Sequence, residues 1–181
     1  EARRFHDECM VVDSQQPGAT SGLLFNDEMR AAMDEWIAKG LSRNVIRRRL
    51  QAMGVREVQN SPEARRQYMA LWEKSGVNVA SATYAGPRPP DGAFEASVGA
   101  IAEARGMIDA LEGELRLVLT ADGIEQAYED GVRGVIFDFQ DTTPFGSDLD
   151  RIDLFYNLGL RVVRLTYNLR NLVGDGCTER Y

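Results

Sequence analysis

Apolar positions along this chain switch between two periods. Short, nearly continuous apolar runs occur at CMVVDS (9–14), VNVASATY (77–84), LRLVLT (115–120), GVIFDF (134–139) and RVVRLTY (161–167). Their β-branched content and flanking turn residues predict strands buried on both faces of a parallel sheet. Between the runs, apolar residues recur at helical spacing. Asn26 predicts a cap for a helix carrying Met29, Met33, Trp36 and Ile37, with Gly40 as its stop. Ser42 predicts the start of another, with Val45, Ile46, Leu50 and Met53 inward and Gly54 as its stop. Ser61 followed by Pro62 is a helix-start signal, and that segment places Tyr68, Met69 and Trp72 for packing. A longer helix after Asp91 carries Phe94, Val98, Ile101, Ile108 and Leu111. Asp122 opens a short helix stopped by Gly131. Ser147 opens a last one, with Leu149, Ile152, Phe155 and Tyr156 as its apolar set and Gly159 as its stop.

Strand and helix therefore alternate, and repeated β–α units imply a parallel sheet with right-handed crossovers. The segment GPRPPDG (86–92) reads as a strand-to-helix loop and not as a domain linker. With 181 residues the chain suffices for one substantial core. It falls short of the ~250 residues and eight strands of a complete (β/α)₈ barrel. Five strands alone would leave sheet edges and apolar helix faces uncovered. The expected cover is a C-terminal barrel half, a second chain or a homo-oligomer. A doubly wound five-stranded sheet is the structural alternative.

Composition narrows the function classes. The excess of 28 acidic over 21 basic residues gives a formal net charge of −7, which argues against a general nucleic-acid binder. Arg47, Arg48 and Arg49 read as a solvated helix face. No apolar run reaches the ~20 residues of a membrane-spanning helix. The opening EARRFHDECMVVD is too charged for a secretory signal, so a cytoplasmic location is expected. Cys9 and Cys177 lack metal or redox spacing and read as free thiols. The single histidine, His6, excludes a multi-histidine metal site built from this chain alone and reads as a surface residue. Gly-rich phosphate loops are absent, and GDG (174–176) has no strand-to-helix context.

The chemistry concentrates at the ends of the first, fourth and fifth runs: VVDSQQPG (11–18), FDFQD (137–141) and LTYN (165–168). The stretch VRGVIFDFQDTTPFGSDLDRIDLFYNLGLRVVRLTYN (132–168) resembles the renal (membrane) dipeptidase family. There a strand ending in a metal-bridging glutamate is followed by a helix ending in Leu-Gly-x-Arg and a strand ending in Leu-Thr-His. The first run is similar to the family's Asp-Gly-His-x-Asp. The resemblance implies a (β/α)₈ TIM-type barrel of the metal-dependent hydrolase kind, present here as its N-terminal part with about five parallel strands. It implies a zinc- or other divalent-metal-dependent peptidase acting on dipeptides or related small amides.

The residues at the family's working positions differ. Asp13 is kept, whereas Gln15 stands at the histidine position and Pro17 at the metal-binding aspartate position. Gln140 replaces the bridging glutamate and Tyr167 the substrate-contacting histidine. A glutamine keeps a carbonyl oxygen but loses the charge with which one carboxylate bridges two cations, and proline offers no side-chain donor. Two-metal hydrolysis needs those cations to acidify water and polarise the scissile carbonyl. The expected outcome is altered or lost metal-dependent chemistry, with no cofactor from this chain. The alternative is a non-catalytic small-ligand-binding barrel, or a subunit that docks on a partner chain. Pocket candidates are Asp13, Gln15, Asp138, Gln140, Asp141, Tyr167 and Asn168, with Tyr84 a weaker one. Asp138 shares the face of Gln140 by period-two alternation, so Asp13, Asp138 and Asp141 could form an acidic cluster. The expected ligand is a small peptide-like or amide compound held at the strand ends.

Overall fold

Capping chemistry sets the helix boundaries in a computed structural model, which describes residues 1–16, 24–85 and 91–179. The Asn26 side chain accepts from the Met29 amide at 2.9 Å and starts α2 (Asp27–Ala38). Ser61 accepts from the Ala64 amide and, with proline in the first turn, starts α4 (Pro62–Ser75). Between them, α3 (Arg43–Asn60) runs straight through Gly54. The sequence predicts a stop there. Gly54, Val55 and Val58 are buried instead, and that packing outweighs the ~1 kcal/mol cost of a helical glycine. Arg47, Arg48 and Arg49 lie exposed on α3.

Three further helices complete the set beyond α4. α5 (Ala93–Ala110) buries Ile101, Ala104, Met107 and Ile108. Thr120, rather than Asp122, caps α6 (Ala121–Glu129), accepting from the Gly123 amide. In α7 (Asp150–Asn157) only Phe155 is buried, while Leu149, Ile152 and Tyr156 are exposed. The two-turn helix reaches the core along a single face. Ser147 does not cap it; Asp148 accepts from the Asp150 amide. An N-terminal helix, α1 (Ala2–Glu8), has no counterpart in the sequence reading. Its His6 packs against Gly76, near the N-terminal end of the second strand. Both cysteines are free.

Five parallel strands form one sheet. They are β1 (Val12–Asp13), β2 (Val79–Ala85), β3 (Leu115–Leu117), β4 (Arg133–Phe139) and β5 (Leu160–Val163). The order is β1-β2-β4-β3, with β5 also paired to β4. Thus β3 does not separate β2 from β4. It lies on the far edge of β4 beside Arg133–Val135, and β5 occupies the same edge higher up, beside Phe137–Phe139. Gly134 makes the lower crossing possible. A Cβ there would sit 2.8 Å from side chains of both Val79 and Val118.

The two faces of the sheet differ in chemistry. On one, Ala80, Ala82 and Tyr84 of β2 meet Val135, Phe137 and Phe139 of β4 beneath α3, α4, α5 and α7. Ring edges lock this layer, with Phe139 and Phe155 centroids 4.8 Å apart and Tyr84 and Phe137 at 4.6 Å. On the other face, Val79, Val118 and Ile136 pack with Ile124 and Ala127 of α6. Above that small cluster, toward the C-terminal strand ends, the same face turns polar. Among the described residues, no helix is long and apolar enough to cross a membrane.

Candidate functional site

Parallel register places the polar residues together. Ser81 pairs with Ile136 and Thr83 with Asp138 across the β2–β4 ladder, so alternate β2 side chains flank the Asp138 carboxylate. Asp138 has no solvent exposure. The Ser81 hydroxyl donates to its Oδ2 at 2.8 Å, and the Thr83 hydroxyl to its Oδ1 at 2.8 Å. From the opposite edge, Arg164 donates through Nη1 to Oδ1 at 3.0 Å. The Arg164 amide also donates to the Phe139 carbonyl just past β5, which holds the arginine in place.

A relay of donors therefore ends on one carboxylate. Gln15 donates through Nε2 to the Thr83 hydroxyl oxygen at 2.9 Å, and the Thr83 hydroxyl in turn donates a hydrogen bond to Asp138. Gln15 is itself fixed, because its amide donates to Asp13 and the next amide, of Gln16, donates to the Ser81 carbonyl. A carboxylate removed from water is tolerated only when paired and hydrogen-bonded. Asp138 meets that condition with three donors and an opposite charge. The pair is neutral overall.

The other expected residues have separate roles. Asp141 is buried, but its Oδ1 accepts from the Thr143 amide in its own turn. Asp13 likewise accepts from the Gln15 amide. Among the described residues, Asp13, Asp138 and Asp141 do not gather into a group that could hold a metal ion. Gln140 shares the Asp138 face by alternation and is half-buried, and its side-chain amide makes no hydrogen bond with the described residues. Tyr167 and Asn168 lie in the loop beyond β5. There the Tyr167 carbonyl accepts from the Cys177 amide, and the Asn168 side chain from the Cys177 thiol at 3.0 Å. That loop folds on itself and does not join the Asp138 network. Tyr84 belongs to the apolar core. Pro17 lies outside the described residues.

This donor set does not fit a divalent metal. Among the described residues, no three His, Cys, Asp or Glu side chains gather where a cation could sit. The fully buried carboxylate on this face already holds a guanidinium, and its neighbours are hydroxyls and amides. Zinc takes thiolate, imidazole and carboxylate ligands, and harder cations take anionic oxygens.

Sequence reasoning missed Ser81, Thr83 and Arg164. A signal for Arg164 existed: a cation inside RVVRLTY, otherwise a buried strand pattern, calls for a buried anion nearby. Ser81 and Thr83 alternate with Ala80, Ala82 and Tyr84, which marks β2 as having one polar face.

Residues 41–181 match the family model for membrane dipeptidase (Peptidase family M19). No curated protein matches the chain. Among solved structures, the chain is similar to an amidohydrolase from Pseudomonas aeruginosa. That likeness has 20% identity and a TM-score of 0.60, over 98% of this chain and 40% of that one. It is also similar to the dipeptidase AC, a metallo peptidase of family M19, at 20% identity and TM-score 0.53, over 64% of this chain and 40% of that one. A third is a metallo peptidase from Rhodobacter sphaeroides, liganded with a phosphinate mimic of the dipeptide L-Ala-D-Ala. Here identity is 18% and the TM-score 0.50, over 61% of this chain and 42% of that one. The chain thus spans about two-fifths of the length of these proteins. At these identities the likeness fixes the fold, an α/β sheet of the TIM-barrel type.

Proposed function

The chain belongs to the membrane dipeptidase family, peptidase family M19, and on that premise we propose that it binds a small peptide-like or amide ligand at its strand ends with the metal-dependent chemistry lost. In this reading the chain supplies the N-terminal part of a β/α barrel. The upper end of the polar face bearing Asp138, above the cluster packed on α6, is the ligand site in this reading.

One observation carries the proposal: the Asp138 carboxylate is spent on Arg164, Ser81 and Thr83. A divalent cation entering beside it would meet a fixed guanidinium and would have to displace that neutral pairing. The metal-bridging role that the resemblance assigns to the Gln140 position needs a negative charge which an amide lacks. What the site offers instead is hydrogen-bond capacity. Gln140, just past β4, has a side-chain amide with no hydrogen bond to the described residues, and Arg164, just past β5, presents donors. A peptide, with its amide groups and terminal charges, suits such a set.

The exposed apolar side chains of α7 and of the segment after β5 include Leu149, Ile152, Leu165, Leu169 and Leu172. They are assigned to the surface that the remaining barrel elements, or a partner chain, cover.

A dipeptide panel tests the reading. The purified protein is mixed with neutral, acidic and basic dipeptides, with binding followed by calorimetry and cleavage by amine release. Binding without cleavage is expected. Cleavage abolished by a chelator and restored by zinc would overturn it.

A further inference from the structure

The connection between β1 and β2 carries positive charge that the fold does not use. Its helix α3 holds five arginines, Arg43, Arg47, Arg48, Arg49 and Arg56, against one acidic residue, Glu57. All five are exposed, and none forms an ion pair or a side-chain hydrogen bond with the described residues. On the adjoining α2, Glu35 is already paired with Lys39. Arg43 and Arg47 lie one turn apart on a common face, where like charges weaken a helix. Arg47, Arg48 and Arg49 are consecutive, so they fan about 200° round the helix axis. The Arg49 guanidinium lies over the Trp36 ring, 5.2 Å from its centroid. That contact sets the C-terminal end of α2 beside the arginines, and the next residue, Ile37, is 57% exposed.

We infer that this arginine face of α3, with Ile37 of α2, docks on an anionic phospholipid surface. The charge requires an anionic partner, and Ile37 selects among the anionic ones. A nucleic acid would pair its phosphates with the guanidinium groups and leave Ile37 in water. An acidic protein would need an apolar pocket shaped for Ile37. A bilayer needs no such pocket: lipid headgroups meet the arginines, and the isoleucine enters the boundary between headgroups and acyl chains. The contact lies on the bilayer and not across it, since no helix among the described residues is long and apolar enough to span one. Acidic groups further than a Debye length of about 8 Å from the contact oppose it little. The inference is independent of the strand-end ligand site, which uses none of these residues.

Vesicle co-sedimentation tests the inference, with phosphatidylcholine alone and with about one-third phosphatidylserine added. The protein should pellet with the mixed vesicles at low salt, stay in solution with the neutral ones, and be released as salt is raised. Each arginine contributes about fivefold in affinity, so Arg43→Gln/Arg47→Gln/Arg48→Gln should bind about 100-fold more weakly. These three side chains are exposed, and an unchanged melting transition shows that the variant is folded. The corresponding triple lysine variant should keep its binding, because headgroup attraction needs the charge and not the guanidinium fork. Ile37→Ser should weaken binding about three- to tenfold. Equal partition onto the two kinds of vesicle, or undiminished binding by the triple glutamine variant, overturns the inference. So does loss of binding in the lysine variant, which assigns the arginines to bidentate recognition of a discrete anionic group. Tighter binding of a short DNA duplex than of the mixed vesicles overturns it as well.

Discussion

Arg164→Gln should destabilise the fold by about 2–3 kcal/mol, starting from the loss of a buried ion pair at about 3–5 kcal/mol. Two features lower that figure. Arg164 is 33% exposed, so water screens part of the attraction. Asp138 also keeps the Ser81 and Thr83 hydroxyls, which still solvate its carboxylate. For a chain of this size each kcal/mol shifts the melting temperature by about 2–4 °C, so a fall of roughly 4–12 °C is expected. Asp138→Asn alone should cost about 1–2 kcal/mol, since the amide loses one charge-assisted bond and retains an acceptor. The double variant should cost no more than the asparagine alone, giving a coupling of about 2 kcal/mol in a cycle measured by urea denaturation. A cost below about 0.5 kcal/mol for Arg164→Gln would refute the reasoning, because that is the range of an ordinary surface substitution.

Three further perturbations follow from the core and the turns. Burial pushes the Tyr68 phenol well above its ordinary value, and the neighbouring Trp72 offsets only part of this. The unfolded chain therefore ionises first, and stability that is full below pH ~10 falls by about 1.4 kcal/mol per unit above it. Tyr68→Phe should remove that slope in denaturation measured from pH ~9.5 to ~11.5, and an unchanged slope would contradict it. Phe137→Ala empties a site with no solvent exposure edge-on to Tyr84. It should cost about 3–5 kcal/mol by the same denaturation assay. Gly159 has φ +107°, and a Cβ there would lie 2.9 Å from Leu117 Cδ2. Gly159→Ala should therefore cost more than about 1 kcal/mol, and a neutral result would show that the α7–β5 turn relaxes freely.

What could be read from the sequence was what local chemistry decides. Asn26 and Ser61 cap helices because each side chain reaches an amide three residues on. The five apolar runs became strands, with β1 reduced to Val12–Asp13 and β5 ending at Val163. What stayed hidden was set by distant partners. Nothing in LRLVLT specifies that β3 pairs with the lower edge of β4 and leaves the β2–β4 ladder intact. That choice depends on Gly134 allowing Val79 and Val118 to close over it. Gly54 reads as a helix stop only until the burial of Val55 and Val58 is counted.

The site divides in the same way. Alternation along β4 gives the face on which Asp138 and Gln140 stand. The partners of Asp138 come from β2 and from just beyond β5, 26 to 57 residues away, and no local pattern fixes that register. Reading RVVRLTY as one strand puts Tyr167 at a strand end. The strand stops at Val163 and the chain turns into a loop held by Cys177 and Thr178.

Metal content of the purified protein decides most directly whether the strand-end site works without a cation. Elemental mass spectrometry after dialysis against metal-free buffer should find essentially no zinc or manganese, as expected where a guanidinium holds Asp138. About one or two ions per chain, the stoichiometry of a metal-dependent hydrolase, would contradict this and return the site to metal-assisted chemistry.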